Sequence, residues 1–172
     1  LIRLEDGRFI VVDGAFNNNE VRDVFIGTIK EQAKEYGNDN PVIAAWIVTH
    51  AHGDHTGMLY GKYKSIKDAG ITVESIIMNE ISETETERSR AYVAAFGTSG
   101  TYSYGDTEGG QSKRIIETIA PYFGADLYKA HIGQSFHLSN CRMDVLYSLE
   151  GYAPNMCNAF NTTSIVIKMT FT

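Results

Sequence analysis

The apolar positions along this chain change period several times, and each change marks an element. Residues 1–4 and 9–13 are short strand-like runs flanking Asp6-Gly7, a dipeptide that suits a two-residue hairpin turn with positive φ at both central positions. An opening β-hairpin is expected. The polar run 17–19 then offers a helix N-cap, and Val21, Val24, Phe25, Ile29, Ala33 and Tyr36 follow at helical spacing on one face that ends near Gly37. Pro41 opens an all-apolar strand over Val42–Val48. Beyond it, Met58, Leu59, Tyr63 and Ile66 predict a helix that stops at Gly70, and residues 71–78 read as one further buried strand.

Residues 80–110 break the pattern. Glu80, Glu83, Glu85, Glu87, Arg88 and Arg90 make a charged helical stretch, and 97–110 is rich in Gly, Ser, Thr and Tyr. The two together read as an insertion in a single domain spanning 1–172. As a solvated helix and loop the segment is ordinary; as a flap, Tyr102 and Tyr104 would close over a ligand. Helical spacing returns from Gln111, with Ile115, Ile116, Ile119 and Phe123 on one side and Gly124 as the stop, and strands are expected at 126–130, 135–138, 142–147 and 164–171. Helices and strands alternate early and strands cluster late, which predicts an α+β sandwich of sheets covered by helices. No internal repeat is evident.

Composition narrows the classes of function. At 172 residues the chain is one domain by length, and no apolar run approaches the length needed to span a bilayer. Leu1 opens it without a basic leader, so cytoplasmic is the default expectation, although an upstream signal sequence stays open. A formal charge of −6 argues against a basic surface for duplex nucleic acid and leaves room for a small anionic or phosphodiester substrate. Cys141 and Cys157 fit no zinc-ribbon or redox spacing and read as free thiols.

The chemistry is concentrated in Thr49-His50-Ala51-His52-Gly53-Asp54-His55-Thr56-Gly57, placed directly after the apolar strand. Imidazole and carboxylate are the usual ligands of zinc and its divalent neighbours. In an extended segment His50 and His52 point the same way and grip one ion, while Asp54 and His55 follow a turn at Gly53 and reach a second ion beside it. A histidine cluster that only caps a strand end, or binds adventitious metal, is the plain alternative.

His-x-His-x-Asp-His after an apolar strand, with Thr49 before and Gly57 after, resembles the signature of the metallo-β-lactamase superfamily; Met58 stands where many members have a second glycine. The resemblance implies an αβ/βα sandwich, two divalent metal ions (zinc first, with manganese or iron as alternatives), His50 and His52 on the first metal, and Asp54 and His55 on the second. Asp54 would also orient the nucleophile, making it the catalytic residue. Asp13, in Asp13-Gly14, matches an aspartate that holds a ligand imidazole by its second nitrogen, with simple turn chemistry as its alternative. His131-Ile132-Gly133-Gln134, the run Met143-Asp144-Val145-Leu146-Tyr147 with Glu150, and Asn161-Thr162-Thr163-Ser164 resemble the branch related to the DNA-uptake competence hydrolases. Asn161 either lines the site or stabilises its own loop.

In that branch a histidine follows the strand that ends here at Tyr147, but this chain reads Ser148-Leu149-Glu150. The first metal's third ligand is therefore open among His131, His137 and Glu150. The Thr-Gly-Asp aspartate and final histidine of the superfamily are not reached before Thr172, so the chain reads as the N-terminal portion of a longer hydrolase. Two consequences are expected: the isolated fragment is inactive, and it self-associates through a face exposed by truncation. The resemblance implies metal-dependent hydrolysis, with a phosphodiester favoured and lactam, lactone or thioester substrates as alternatives. A metal-binding or interaction module without turnover is the rival of a different class.

Overall fold

The structure is a computed structural model, and it describes residues 1–80, 112–149 and 164–172. Strands β1 (Ile2–Arg3) and β2 (Phe9–Val12) pair antiparallel as the opening hairpin. The turn differs from the expected one: Gly7 alone has positive φ (82°), and Leu4 N–H donates to Arg8 O at 2.8 Å around a three-residue loop. Asp6 instead uses its carboxylate, accepting from the Arg8 backbone N–H at 3.0 Å. Its short side chain replaces a turn bond that a left-handed Asp6 was expected to make possible.

Helix α1 (Asn19–Lys34) begins where Asn18 accepts from the N–H groups of Glu20 and Val21. Ile29 and Ala33 are buried, and Val21, Phe25 and Ile26 pack partly against the same cluster. Val24 and Tyr36, placed on this face by the sequence, are exposed instead. Val24 lies at the edge of the apolar stripe and Tyr36 lies past the helix end, where Arg3 stacks on its ring.

Strand β3 (Val42–Val48) lies parallel to β2 at the centre of the main sheet. Helix α2 (Gly53–Asp68) returns across the sheet, starting earlier than Met58, where the apolar spacing had put its beginning. The expected single strand over 71–78 is two, β4 (Thr72–Val73) and β5 (Ser75–Met78), both parallel to β3. The two keep one register against β3, and the break coincides with a bulge in the β2–β3 pairing. Phe9 pairs with Ile43 but Ile10 pairs with Ala45, so Ala44 is the extra residue, and its carbonyl accepts from Ser75 Oγ at 2.6 Å.

A π-helical turn (Ile115–Ile119) runs into α3 (Ala120–Phe123), closed by Gly124 at φ 72°. Pro121 supplies the reason for the wide turn: it has no N–H to donate, its ring would crowd the carbonyl four residues earlier, and Ala120 N–H reaches back to Ile115 O. Strand β6 (Asp126–Lys129) completes the main sheet beside β5. The sheet runs β1-β2-β3-β5-β6, with β4 also against β3, and is parallel except for β1. Strands β7 (Ser135–Leu138), β8 (Cys141–Tyr147) and β9 (Val166–Phe171) form a second, antiparallel sheet.

Two cores follow from the period-two alternation of the strands. Phe9, Val11, Trp46, Val48, Ile76 and Met78 face the helices. Ile10, Ala45, Ile47 and Ile77 face Cys141, Met143 and Val145 of the second sheet. The described architecture is thus α+β in three layers: helices, main sheet, second sheet. The outward side of the second sheet carries His137, Arg142, Asp144 and Lys168, paired across strands. Cys141 is a buried free thiol, raised above its usual pKa by burial. No described helix is long and apolar enough to cross a membrane. The expected insertion lies, except for Glu80, outside the described residues, as do Cys157, Glu150 and Asn161.

Candidate metal centre

The parallel strands all point their carboxyl ends the same way, so the segments that follow β2, β3, β5 and β6 share one end of the sheet. Ligand sites of open parallel sheets form at such ends. Asp13 follows β2, Thr49 and His50 follow β3, Asn79 follows β5 and His131 comes after β6. The first turn of α2 faces the same end and carries Asp54 and His55.

Gly53 has no positive φ. The change of direction between His52 and Asp54 is instead made by a helix start, with His52 as an extended N-cap (φ −89°, ψ 152°). This placement has electrostatic consequences. The amino end of a helix carries partial positive charge and attracts anions, and Asp54 stands in that first turn.

The side chains form one connected network. Asp13 accepts from the Thr49 backbone N–H at 2.8 Å and from Thr49 Oγ1 at 2.8 Å, and its other contact is His55 Nδ1 at 2.8 Å from Oδ2. The hydroxyl proton of Thr49 goes to Asp13, so Thr49 Oγ1 accepts from His50 Nδ1 at 3.2 Å. With Nδ1 donating in both rings, Nε2 of His50 and Nε2 of His55 are the lone-pair nitrogens, the tautomers being assigned by this network. His50 Nε2 lies 3.0 Å from His52 Nδ1, and His55 Nε2 lies 3.6 Å from Asp54 Oδ2. The rings of His50 and His55 are 3.9 Å apart.

His50 is 7% exposed and its pKa falls to about 4. Burial is the larger cause, and repulsion from His55 and His52 adds to it. At neutral pH the ring is therefore neutral, the form in which imidazole binds a cation.

The loop carrying Asp13 is held closely against α2. Asp13 and Ala15 have φ of 57° and 52°, values that a side chain rarely adopts. Gly14 N–H donates to His55 O at 2.5 Å, and Met58 N–H donates to Gly14 O at 3.2 Å. Gly57 makes this approach possible, since a Cβ there would stand 2.6 Å from Ala15 O and 2.7 Å from the carbonyl carbon of Phe16. The alternative role of Asp13 as turn chemistry gives way to a direct contact with a motif histidine. Sequence reasoning held both readings; the φ of Asp13 could not be read from Asp-Gly alone.

Of the four predicted ligands, His50 meets both His52 (Nε2 to Nδ1 3.0 Å) and His55 (ring centroids 3.9 Å), and His55 Nε2 lies 3.6 Å from Asp54 Oδ2. Tetrahedral zinc with Zn–N of about 2.0–2.1 Å separates its ligand nitrogens by about 3.3 Å. The His50–His52 separation of 3.0 Å is a few tenths shorter, as suits a direct hydrogen bond between the rings. Among the described residues no group of three or more His, Cys, Asp or Glu side chains converges as a ready metal cage. The donor types, the neutral and buried His50 and the buttressed His55 nonetheless fit a divalent cation.

Of the candidates for a third ligand, Glu150 lies outside the described residues, and neither described histidine sits beside the motif on β3. His137 lies on β7 opposite Arg142, on the outward side of the second sheet, because strand alternation turns it away from the main sheet. His131 is at the correct end, but β5 separates its strand from β3, a displacement of roughly 10 Å at the usual strand spacing. Two polar groups that sequence reasoning passed over lie at the same end. Asn79 is buried and donates to Leu149 O at 3.2 Å, and Ser148 is buried just after β8. Neither carries a motif signal; strand order alone brings them there.

No family model and no curated protein matches the chain. Solved structures similar to it include a metallo-β-lactamase with a HARLDQ motif from Cronobacter sakazakii (Enterobacter sakazakii), 14% identical over 99% of this chain and 50% of that one, TM-score 0.45. A mutant of that protein is 13% identical over 99% and 50%, TM-score 0.46. A metallo-β-lactamase from Hirschia baltica is 14% identical over 96% and 51%, TM-score 0.42. The chain spans about half the length of these structures.

Proposed function

We propose that the protein is a metal-dependent hydrolase of the metallo-β-lactamase type, in which His50 and His52 hold one divalent cation and Asp54 and His55 a second. The observation that carries the reading is the contact from Asp13 Oδ2 to His55 Nδ1 at 2.8 Å. It fixes one nitrogen of a motif histidine and directs the lone pair of the other towards Asp54, an arrangement typical of metal-ligating imidazoles and of no use to a mere strand cap.

When bound, such cations supply Lewis acidity and an activated water near neutral pH. The chain's own residues do the rest. Thr49 and Asp13 orient the rings of His50 and His55, burial keeps His50 neutral, and the first turn of α2 presents Asp54 to hold a cation and orient the nucleophile. Zinc is the first choice of metal, because imidazole and carboxylate suit it, with manganese or iron as alternatives. A phosphodiester is the favoured substrate class, and lactam, lactone and thioester hydrolysis belong to the same chemistry. An acidic chain of net −6 supports a small substrate over duplex nucleic acid. A cytoplasmic location and self-association of the chain belong to the same proposal.

The test uses His52→Ala and Asp54→Asn in the longest natural form of the protein. Both are expected to lose zinc stoichiometry, from two equivalents towards one, and to lose turnover of a chromogenic phosphodiester, with the circular dichroism unchanged. Full zinc content and full turnover in both variants would refute the assignment. Zinc bound without turnover of a phosphodiester, cephalosporin, lactone or thioester would favour the non-catalytic module.

A further inference from the structure

Ser148 is 2% exposed, and among the described residues its hydroxyl has no hydrogen-bond partner. A buried hydroxyl in that state opposes folding, so it persists where a water or a ligand completes it. Its placement follows from a bulge. Cys141, Met143 and Val145 of β8 face the main sheet by alternation, which would next turn Tyr147 inward. Val145 pairs with Ile167 but Tyr147 pairs with Val166, so Leu146 is an extra residue and the phase changes. Tyr147 is exposed as a result, and Ser148 takes the inward position opposite Ile165, the buried residue that precedes β9.

This inward position adjoins the motif. Ile165 N–H donates to Thr49 O at 3.0 Å, and Thr49 precedes His50. One cross-strand pair, one hydrogen bond and one peptide link thus separate Ser148 from His50. On its other side, Asn79 Nδ2 donates to Leu149 O at 3.2 Å, which pins the residue after Ser148 to the end of β5. A serine side chain is too short to touch an imidazole-held cation across such a separation, but a water spans it.

Two imidazoles leave a tetrahedral cation two ligands short, and neither described histidine outside the motif lies beside them. We infer that Ser148 is a positioning residue of the candidate metal centre, its hydroxyl holding the water beside the cation on His50 and His52. This rests on the metal-dependent reading above and deepens it. A hydroxyl both donates and accepts, so it holds a water in either orientation, and it adds no charge to a centre that already carries Asp13 and Asp54.

Zinc titrated calorimetrically into the unaltered protein, Ser148→Ala and His52→Ala, together with urea midpoints of the metal-free forms, tests this. Ser148→Ala is expected to bind zinc about tenfold more weakly. Its metal-free midpoint should stay the same or rise, because the change removes an unpaired buried hydroxyl. Unchanged zinc affinity in Ser148→Ala, with zinc lost from His52→Ala, would overturn the inference and leave the metal centre standing. A lowered metal-free midpoint in Ser148→Ala would also overturn it, since the hydroxyl would then serve the fold. Absence of zinc binding in the unaltered protein, or undiminished binding in His52→Ala, would strike the metal-centre reading and the inference with it.

Discussion

Gly57 and Gly27 are both glycines inside helices, and replacing each by alanine should shift stability in opposite directions. In an open helix position the change gains about 0.8–1 kcal/mol, because alanine loses less backbone freedom on folding. Gly27 in α1 is such a position, with nothing within 4 Å of a Cβ built there. At Gly57 the same Cβ would stand 2.6 Å from Ala15 O and 2.7 Å from the Phe16 carbonyl carbon, and also against Asn17 N. Ordinary contacts of this kind are about 3.2 Å or more, and with Asn17 N at 2.4 Å the loop backbone must retreat by about 0.8 Å. The obstacle is backbone from three residues in a strained conformation, not the end of a flexible side chain. Overpacking of this type costs about 1–3 kcal/mol, and at Gly57 it outweighs the helix gain. Gly57→Ala should therefore be net destabilising, by up to about 2 kcal/mol, and Gly27→Ala stabilising by about 0.5–1 kcal/mol. At about 2–4 °C per kcal/mol for a chain of this size, thermal unfolding followed by circular dichroism resolves the two. The loop that retreats also carries Asp13, so zinc affinity should fall about tenfold or more in Gly57→Ala and stay unchanged in Gly27→Ala. Equal or greater stability of Gly57→Ala relative to the unaltered chain would show that the loop does not lie where the distances put it.

Two further expectations concern the histidine network. The pKa of His50 is about 4 in the folded chain against 6.5 unfolded, so between these values the unfolded chain binds the extra proton. Stability is then full above about pH 6.5 and falls as pH drops through about 4, by on the order of 3 kcal/mol at most. Urea midpoints between pH 7.5 and 4 should follow this, and a His50→Gln variant with the same pH slope would remove His50 as the cause. Asp13→Asn keeps the shape but leaves one oxygen to receive the Thr49 N–H, the Thr49 hydroxyl and His55 Nδ1. A loss of about 10–100-fold in zinc affinity is expected by calorimetry, and unchanged affinity would show that His55 needs no support.

Much of the molecule was legible in order of residues alone. Continuous apolar runs bounded by Pro41 and Gly70, polar caps such as Asn18, and alternation in 135–147 gave strands and helices close to those observed, because each reflects a local periodicity. The His50–His55 cluster was equally plain, since ligand types at that spacing have few other uses. What periodicity could not reach was decided by packing. The split of β4 from β5 has no signal in the apolar spacing, the start of α2 at Gly53 depended on hydrogen bonds rather than apolar spacing, and the π turn answered to Pro121. Asp13 meets His55 only because β2 lies beside β3 and Gly57 admits the loop, and His137 faces away only because its sheet is the outer layer. Sequence neighbours fix which side chains a segment can offer; the distances between segments, and hence which carboxylate serves which imidazole, exist only once the sheets and helices have closed on one another.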